Sequence, residues 1–110
     1  MDYNLSEEQL MVKELARKIS EEKIRPVRGE LDETGEFPWD IMKTFGAAVL
    51  CGLYIPEEYG GFGGGGLEFC LAVEEISTVC GGVGVTFAAS ALGAYPIVLF
   101  GTEDQKKKYL

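Results

Sequence analysis

Apolar and polar residues near the N-terminus alternate with a helical period. Val12, Leu15, Ala16 and Ile19 recur at i, i+3, i+4 and i+7, beside a solvated face of Lys13, Glu14, Arg17 and Lys18. Ser6 followed three residues later by Gln9 has the form of a capping box, which predicts a first helix from Glu7 to about Glu30, kinked or ended by Pro26. Glu30 to Glu36 reads as a polar connector around Gly35. Pro38 then suits the opening of a short second helix that turns Trp39, Met42 and Phe45 inward.

Farther on the pattern loosens. Leu50 to Ile55 is apolar enough for a strand, but Gly52 interrupts it and no second run lies nearby to pair with it, so an extended connector is expected. Six glycines surround Phe62 between Gly60 and Gly66. A third helix follows from about Leu67 to Val79, with Phe69, Ala72, Val73 and Ile76 on one face, and Gly81 and Gly82 stop it. A small-residue helix from about Gly84 to Ala94 leads to Pro96 and a short apolar turn ending at Phe100. Thr102 with Gln105 repeats the capping box and opens a last helix that reads as truncated at Leu110. The expected fold is all-α, a single bundle-like domain of four to five helices over residues 1–110.

Composition supports one folded domain: of 110 residues, 46% are hydrophobic and 25% charged. The net charge of -8 repels a phosphate backbone, so no nucleic-acid partner is expected. Histidine is absent, which removes the usual proton shuttle at neutral pH and the commonest metal ligand. Cys51, Cys70 and Cys80 are odd in number and never spaced C-x-x-C, so reduced, buried thiols are expected, with no disulfide framework and no metal site. Asp2 and a polar stretch follow Met1, without a basic segment and apolar core of the secretory kind, which points to an intracellular protein.

Four features bear on chemistry. Gly61, Gly63 and Gly66 fit the G-x-G-x-x-G spacing of a pyrophosphate loop, yet Pro56, Glu57 and Glu58 precede them where a strand belongs, and residues 81–90 contain no acid. A structural turn is the better reading. Glu74 and Glu75 adjoin, but neighbours on a helix point about 100° apart, so a solvated or salt-bridged face is expected in place of an acid–base pair. Lys106, Lys107 and Lys108 beside Glu103 and Asp104 read as ordinary solvation. The stretch from Ile76 to Thr102 carries no charge and is long enough for a bilayer. Its glycines and Pro96 would leave backbone groups unpaired in lipid, so a helix surrounded by protein on every side is expected and no membrane span. Val85, Ala88, Ala89 and Leu92 share one face of that helix, and their small size leaves room for a close neighbour helix or for an apolar ligand.

The order of these segments resembles the N-terminal helical domain of the acyl-CoA dehydrogenase family. The resemblance is carried by Pro56-Glu57-Glu58-Tyr59-Gly60-Gly61-Phe62-Gly63, by Glu74-Glu75-Ile76-Ser77, and by Pro96-Ile97 with Phe100-Gly101-Thr102-Glu103-Asp104-Gln105-Lys106-Lys107-Lys108-Tyr109-Leu110. Ile24-Arg25-Pro26-Val27 and the stretch from Asp32 to Trp39 add to it. One departure is Val49, where the family usually carries a glycine closing the second helix.

The resemblance implies an FAD enzyme that oxidises the α,β carbon bond of a fatty acyl-CoA thioester and is a homotetramer passing electrons to an electron-transfer flavoprotein. It places the catalytic glutamate on a C-terminal helical domain and most flavin contacts on a middle β-domain, both absent from these residues. The chain alone is therefore expected to hold no catalytic, cofactor-binding or metal residue and not to be catalytic. Its implied part is a wall of the acyl pocket at Gly84, Val85, Ala88 and Leu92, and its implied setting is the cytoplasm, or the mitochondrial matrix in a eukaryote. Two other readings stand beside this one: a free-standing helical interaction module, and a membrane-inserted helical segment.

Overall fold

A computed structural model describes residues 3–110. Helix α1 spans Glu7–Ile19 and opens with the expected reciprocal cap: Gln9 N donates to Ser6 Oγ at 3.1 Å, and Ser6 N donates to Gln9 Oε1 at 2.9 Å. Val12, Ala16 and Ile19 are buried, while Leu15 lies at the edge of the stripe. The helix does not reach Glu30. It widens into one π turn, Ser20–Ile24, in which Arg25 N donates to Ser20 O, and the chain then turns at Pro26, whose missing N–H cannot extend the ladder. Helix α2, Arg28–Thr34, follows and is closed by Gly35 at φ 66°. Among the described residues the break makes six α-helices where four to five were expected.

Helix α3, Trp39–Ala47, buries Ile41 and Phe45, one turn apart. Trp39 does not turn inward. It is 66% exposed and packs on Phe37, with ring centroids 4.6 Å apart, because two residues set it roughly 200° around the helix from Ile41. Met42 is only half-buried. Leu50 to Ile55 is not extended either: a single 3-10 turn at Leu50–Gly52 leads into buried Leu53, Tyr54 and Ile55, so the apolar run closes the core without a pairing partner.

Val49, between α3 and that turn, has φ 62° and ψ 11°, in the left-handed region where a β-branched side chain is strained. Its side chain is 41% exposed, so its removal forfeits little burial. Val49→Gly is therefore expected to stabilise the fold by about 1 kcal/mol, strain relief of ~1–2 kcal/mol less the added freedom of glycine in the unfolded chain. The midpoint of thermal unfolding should rise by roughly 4 °C or more. A fall would show that Val49 contributes packing that outweighs its strain.

Helix α4, Gly66–Val79, buries Leu71, Ala72, Glu75, Ile76 and Val79, and turns Cys70 outward, so that thiol is exposed and not buried as expected. Gly81 and Gly82 do not stop α4. Cys80 alone, extended at φ -153°, joins it to helix α5, Gly81–Phe100, which the two glycines begin. Arg28 Nη1 donates to the Val79 carbonyl at 2.9 Å and satisfies an acceptor that the end of α4 leaves free. Helix α6, Glu103–Tyr109, carries the second expected cap, with Gln105 N donating to Thr102 Oγ1 at 3.3 Å.

Helices α1, α4 and α5 form the body, with Val12, Ala16, Ile24, Phe45, Ile76 and Phe87 at its centre. The extents of 41 × 34 × 21 Å give a slab about two helices thick. A core helix in a slab this thin has one side left to face outward.

Candidate functional site

That outward side belongs to α5. Val83, Gly84 and Phe87 are buried against the slab, whereas Val85 is 70% and Leu92 80% exposed; Ala89, Leu99 and Phe100 are exposed with them and Ala88 is half-buried. The helix is thus not surrounded on every side, as its lack of charge led one to expect. It also runs unbroken through Pro96, six residues past Ala94. Proline removes only one bond of the ladder, and its ring sits on the exposed side, where no neighbour resists it. With 20 residues and a mean hydropathy of 1.8, α5 is long and apolar enough to cross a membrane, and continuity through Pro96 removes part of the backbone argument against a span. What speaks for a protein environment is its seam with α4.

The four expected wall residues do not all do the same thing. Gly84 lies in the crossing with α4: a Cβ there would run into Ser77 Oγ and sit 3.1 Å from Ser77 Cβ and 3.2 Å from its Cα. Only glycine lets the helices approach so closely, and the cross-over fixes the height of α5 above the slab. Val85 and Leu92 look outward from that fixed helix, and Ala88 sits at the margin between seam and open face.

Beneath the face runs a chain of aromatic rings that the sequence did not single out. Phe45 meets Phe87 edge-on at 5.2 Å, Phe87 stacks on Phe69 at 5.2 Å, Phe69 meets Tyr54 at 5.2 Å and Tyr54 meets Tyr95 at 5.5 Å. These residues come from α3, α4, α5 and the turn before the glycine loop, at no common spacing, so periodicity could not group them. Burial pushes the Tyr54 phenol above its ordinary value, a shift opposed by its hydrogen bond with Ser90. Burial likewise raises the Cys51 thiol, so it stays protonated at neutral pH.

The other candidates resolve into structure. Every amide of the glycine loop from Gly60 to Gly65 is already used: Gly60 N donates to Glu57 O, Gly61 N to Pro56 O, Phe62 N to Gly52 O, Gly63 N to Ile55 O, Gly64 N to Leu53 O and Gly65 N to Glu68 Oε2. A pyrophosphate needs such amides free, so the loop does not fit the phosphates of FAD or CoA. Its glycines serve tight packing instead; a Cβ on Gly61 would overlap the Ile55 carbonyl.

Glu75 is buried and bound by Arg17, whose Nε donates to Oε2 at 3.1 Å, with Lys13 Nζ 3.7 Å from Oε1, while Glu74 faces solvent. The bond to Glu75 also raises the Arg17 guanidinium above its ordinary value. The Gln9 amide donates to Glu68 Oε1 at 3.0 Å and, with the Gly65 amide, holds the Glu68 carboxyl below the usual range. Tyr59 donates to Glu103 Oε2 at 2.6 Å, pinning α6 to the loop, and that bond pushes its phenol up to about 12. Among the described residues no buried side-chain polar atom lacks a partner, so none is left unpaired and aimed at a ligand.

Residues 6–110 match the family model described as acyl-CoA dehydrogenase, N-terminal domain. Over its whole length the chain is 43% identical to the probable acyl-CoA dehydrogenase YngJ of Bacillus subtilis and 43% identical to a short-chain specific acyl-CoA dehydrogenase of Clostridium acetobutylicum, covering 29% of each. Among solved structures it superimposes on butyryl-CoA dehydrogenase from Megasphaera elsdenii with a TM-score of 0.92 and 38% identity, covering 100% of this chain and 30% of that one. A chain from work on the electron-transferring flavoprotein of Acidaminococcus fermentans matches with a TM-score of 0.95 and 44% identity, again over 100% of this chain and 29% of that one.

Proposed function

Because the chain belongs to the acyl-CoA dehydrogenase family, as its N-terminal helical domain, we propose that it forms one wall of the acyl pocket in an enzyme that dehydrogenates fatty acyl-CoA thioesters between the α and β carbons. The observation that carries this reading is the open side of α5, an uncharged helix held by Gly84 against α4 with Val85, Ala88 and Leu92 turned toward what lies above it. A wall of this kind binds by removing apolar surface from water, about 0.8 kcal/mol for each methylene covered, and it keeps water away from the thioester end. Gly84 sets the position of that wall; the other three are its surface.

The chain spans about 29% of the length of the curated relatives named above, and the chemistry of the whole protein is proposed to lie in the remainder. FAD supplies the oxidant there, since the glycine loop here offers no amide for it. The proton-abstracting carboxylate also lies outside these residues: Glu75 is held by Arg17 and Lys13, and Glu74 points to solvent. We place the whole protein as a homo-oligomer, a tetramer, in the cytoplasm of a bacterium or the matrix of a mitochondrion, with an electron-transfer flavoprotein as acceptor.

The test compares two lengths of the protein. The full-length protein should purify yellow and reduce an electron-transfer flavoprotein or a dye when given acyl-CoA. Residues 1–110 alone should give an α-helical circular dichroism spectrum, stay colourless after incubation with FAD and gel filtration, and turn over no acyl-CoA. Flavin retained by residues 1–110 would contradict the reading of the glycine loop, and a full-length protein inert toward every acyl-CoA would remove the assignment.

A further inference from the structure

Between α2 and α3 lies an open groove of about 490 Å³. Its floor is apolar, with Ile41 buried and Val27 and Leu31 half-buried. Trp39 and Phe37 also line it, ring against ring, 66% and 50% exposed, so the indole is open to whatever enters. Glu30, Glu36 and Asp40 bring three carboxylates to the groove against the single ammonium of Lys23, and among the described residues none of the three carboxylates has an ion-pair or hydrogen-bond partner. An indole face attracts a cation, and carboxylates without partners add to that attraction with no existing pair to break.

From this combination we infer that the groove is a docking site for a partner protein that presents an arginine flanked by apolar side chains. The planar guanidinium stacks on Trp39 and pairs with the carboxylates, while the flanking side chains cover the floor of Val27, Leu31 and Ile41. A second copy of this chain is the wrong occupant, because it brings a net charge of -8 against a groove that is itself acidic. A small free cation would satisfy the carboxylates but leave the apolar floor in water. The groove is also separate from the proposed acyl wall: no residue of α5 lines it, and α3 packs through Phe45 on Phe87, which lies on the buried side of α5. The inference therefore holds or fails independently of the acyl pocket.

The experiment follows, by fluorescence anisotropy at low salt, the binding of a labelled peptide with one arginine between two leucines to the full-length protein. Trp39→Ala should bind it about five-fold more weakly although the net charge is unchanged. Glu36→Gln combined with Asp40→Asn should bind it about ten-fold more weakly, and serves if Trp39→Ala folds poorly. The same peptide with citrulline, which keeps the shape and lacks the charge, should lose about ten-fold or more. Turnover of acyl-CoA with a dye as acceptor should match wild type in every variant. The inference is overturned if Trp39→Ala binds the peptide as wild type does, since the peptide then senses net charge alone, or if the citrulline peptide binds equally well. Arginine amide binding as tightly as the peptide would make the groove a small-molecule site and overturn it too. So would a loss of turnover with an electron-transfer flavoprotein in Trp39→Ala while dye turnover is kept, because the groove would then belong to the electron acceptor.

Discussion

Phe87→Ala is expected to be the most damaging single substitution in the domain, at a cost of about 3–5 kcal/mol. Phe87 is fully buried and lies where three elements converge, with Phe45 of α3 edge-on and Phe69 of α4 stacked, each at 5.2 Å. Truncation removes both ring contacts and leaves a cavity that α3 and α4 cannot close, since each is held by other buried residues, Ile41 in one and Ile76 in the other. Domains of this size have only about 5–15 kcal/mol of stability in all, so much of it would be lost, and the unfolding midpoint should drop by roughly 15 °C or more. Phe37→Ala offers the contrast, as Phe37 is 50% exposed and should cost little. Thermal unfolding followed by circular dichroism measures both. Equal effects would mean that the aromatic row is not the centre of the fold.

The second large effect concerns function. In the full-length protein Ala88→Phe should fill the space of about three methylenes on the proposed acyl wall, and at about 0.8 kcal/mol each the longest chains should lose roughly 2.4 kcal/mol of binding. Their kcat/KM should then fall on the order of fifty-fold relative to butyryl-CoA, because a short chain does not reach the residue and the reaction at the thioester end is unchanged. The half-buried position of Ala88, beside the seam but not in it, is what allows a larger side chain without forcing α4 and α5 apart; the same change at Gly84 would meet the Ser77 backbone. An equal loss at every chain length would show that Ala88 packs helices and nothing more.

Much of the architecture was legible in the residue order, since the signals were local. The caps at Ser6 with Gln9 and Thr102 with Gln105 are reciprocal hydrogen bonds within three residues, and both form as read. The buried stripe of α1 follows from the 3.6-residue period, as do Ala72 and Ile76 of α4, whereas Phe69 and Val73 of the expected α4 face are only half-buried; the all-helical class follows from the lack of any pairable strand. The departure at Val49 was visible only through the family resemblance, which puts a glycine at the close of the second helix; the structure adds the left-handed backbone that glycine fills without strain.

Boundaries were read less well where two local signals competed. Gly81 and Gly82 look like a stop, and Pro96 like an end, but packing of Val83, Gly84 and Phe87 on the slab holds a 20-residue helix across both. At Pro26 the same kind of signal does break the chain, since the π turn before it lets the backbone change direction. Propensity sets the local cost of such residues; burial elsewhere in the helix decides whether that cost is met.

Sequence by itself determined the all-helical class, the caps at Ser6 and Thr102, the absence of a local phosphate loop context and the family to which the chain belongs, but not the bounds of α1, α2 and α5. Only the tertiary structure decided which face of α5 is open. Its residues are apolar all round, so the sequence carries no amphipathic signal to orient it, and the orientation comes from the close crossing at Gly84 and the aromatic row under Phe87. For the same reason Trp39, apolar and periodic enough to be taken for core, lies outside, and Glu75, charged, lies inside between Arg17 and Lys13. Position in the chain fixes what a side chain is; its neighbours from distant segments fix whether water still reaches it.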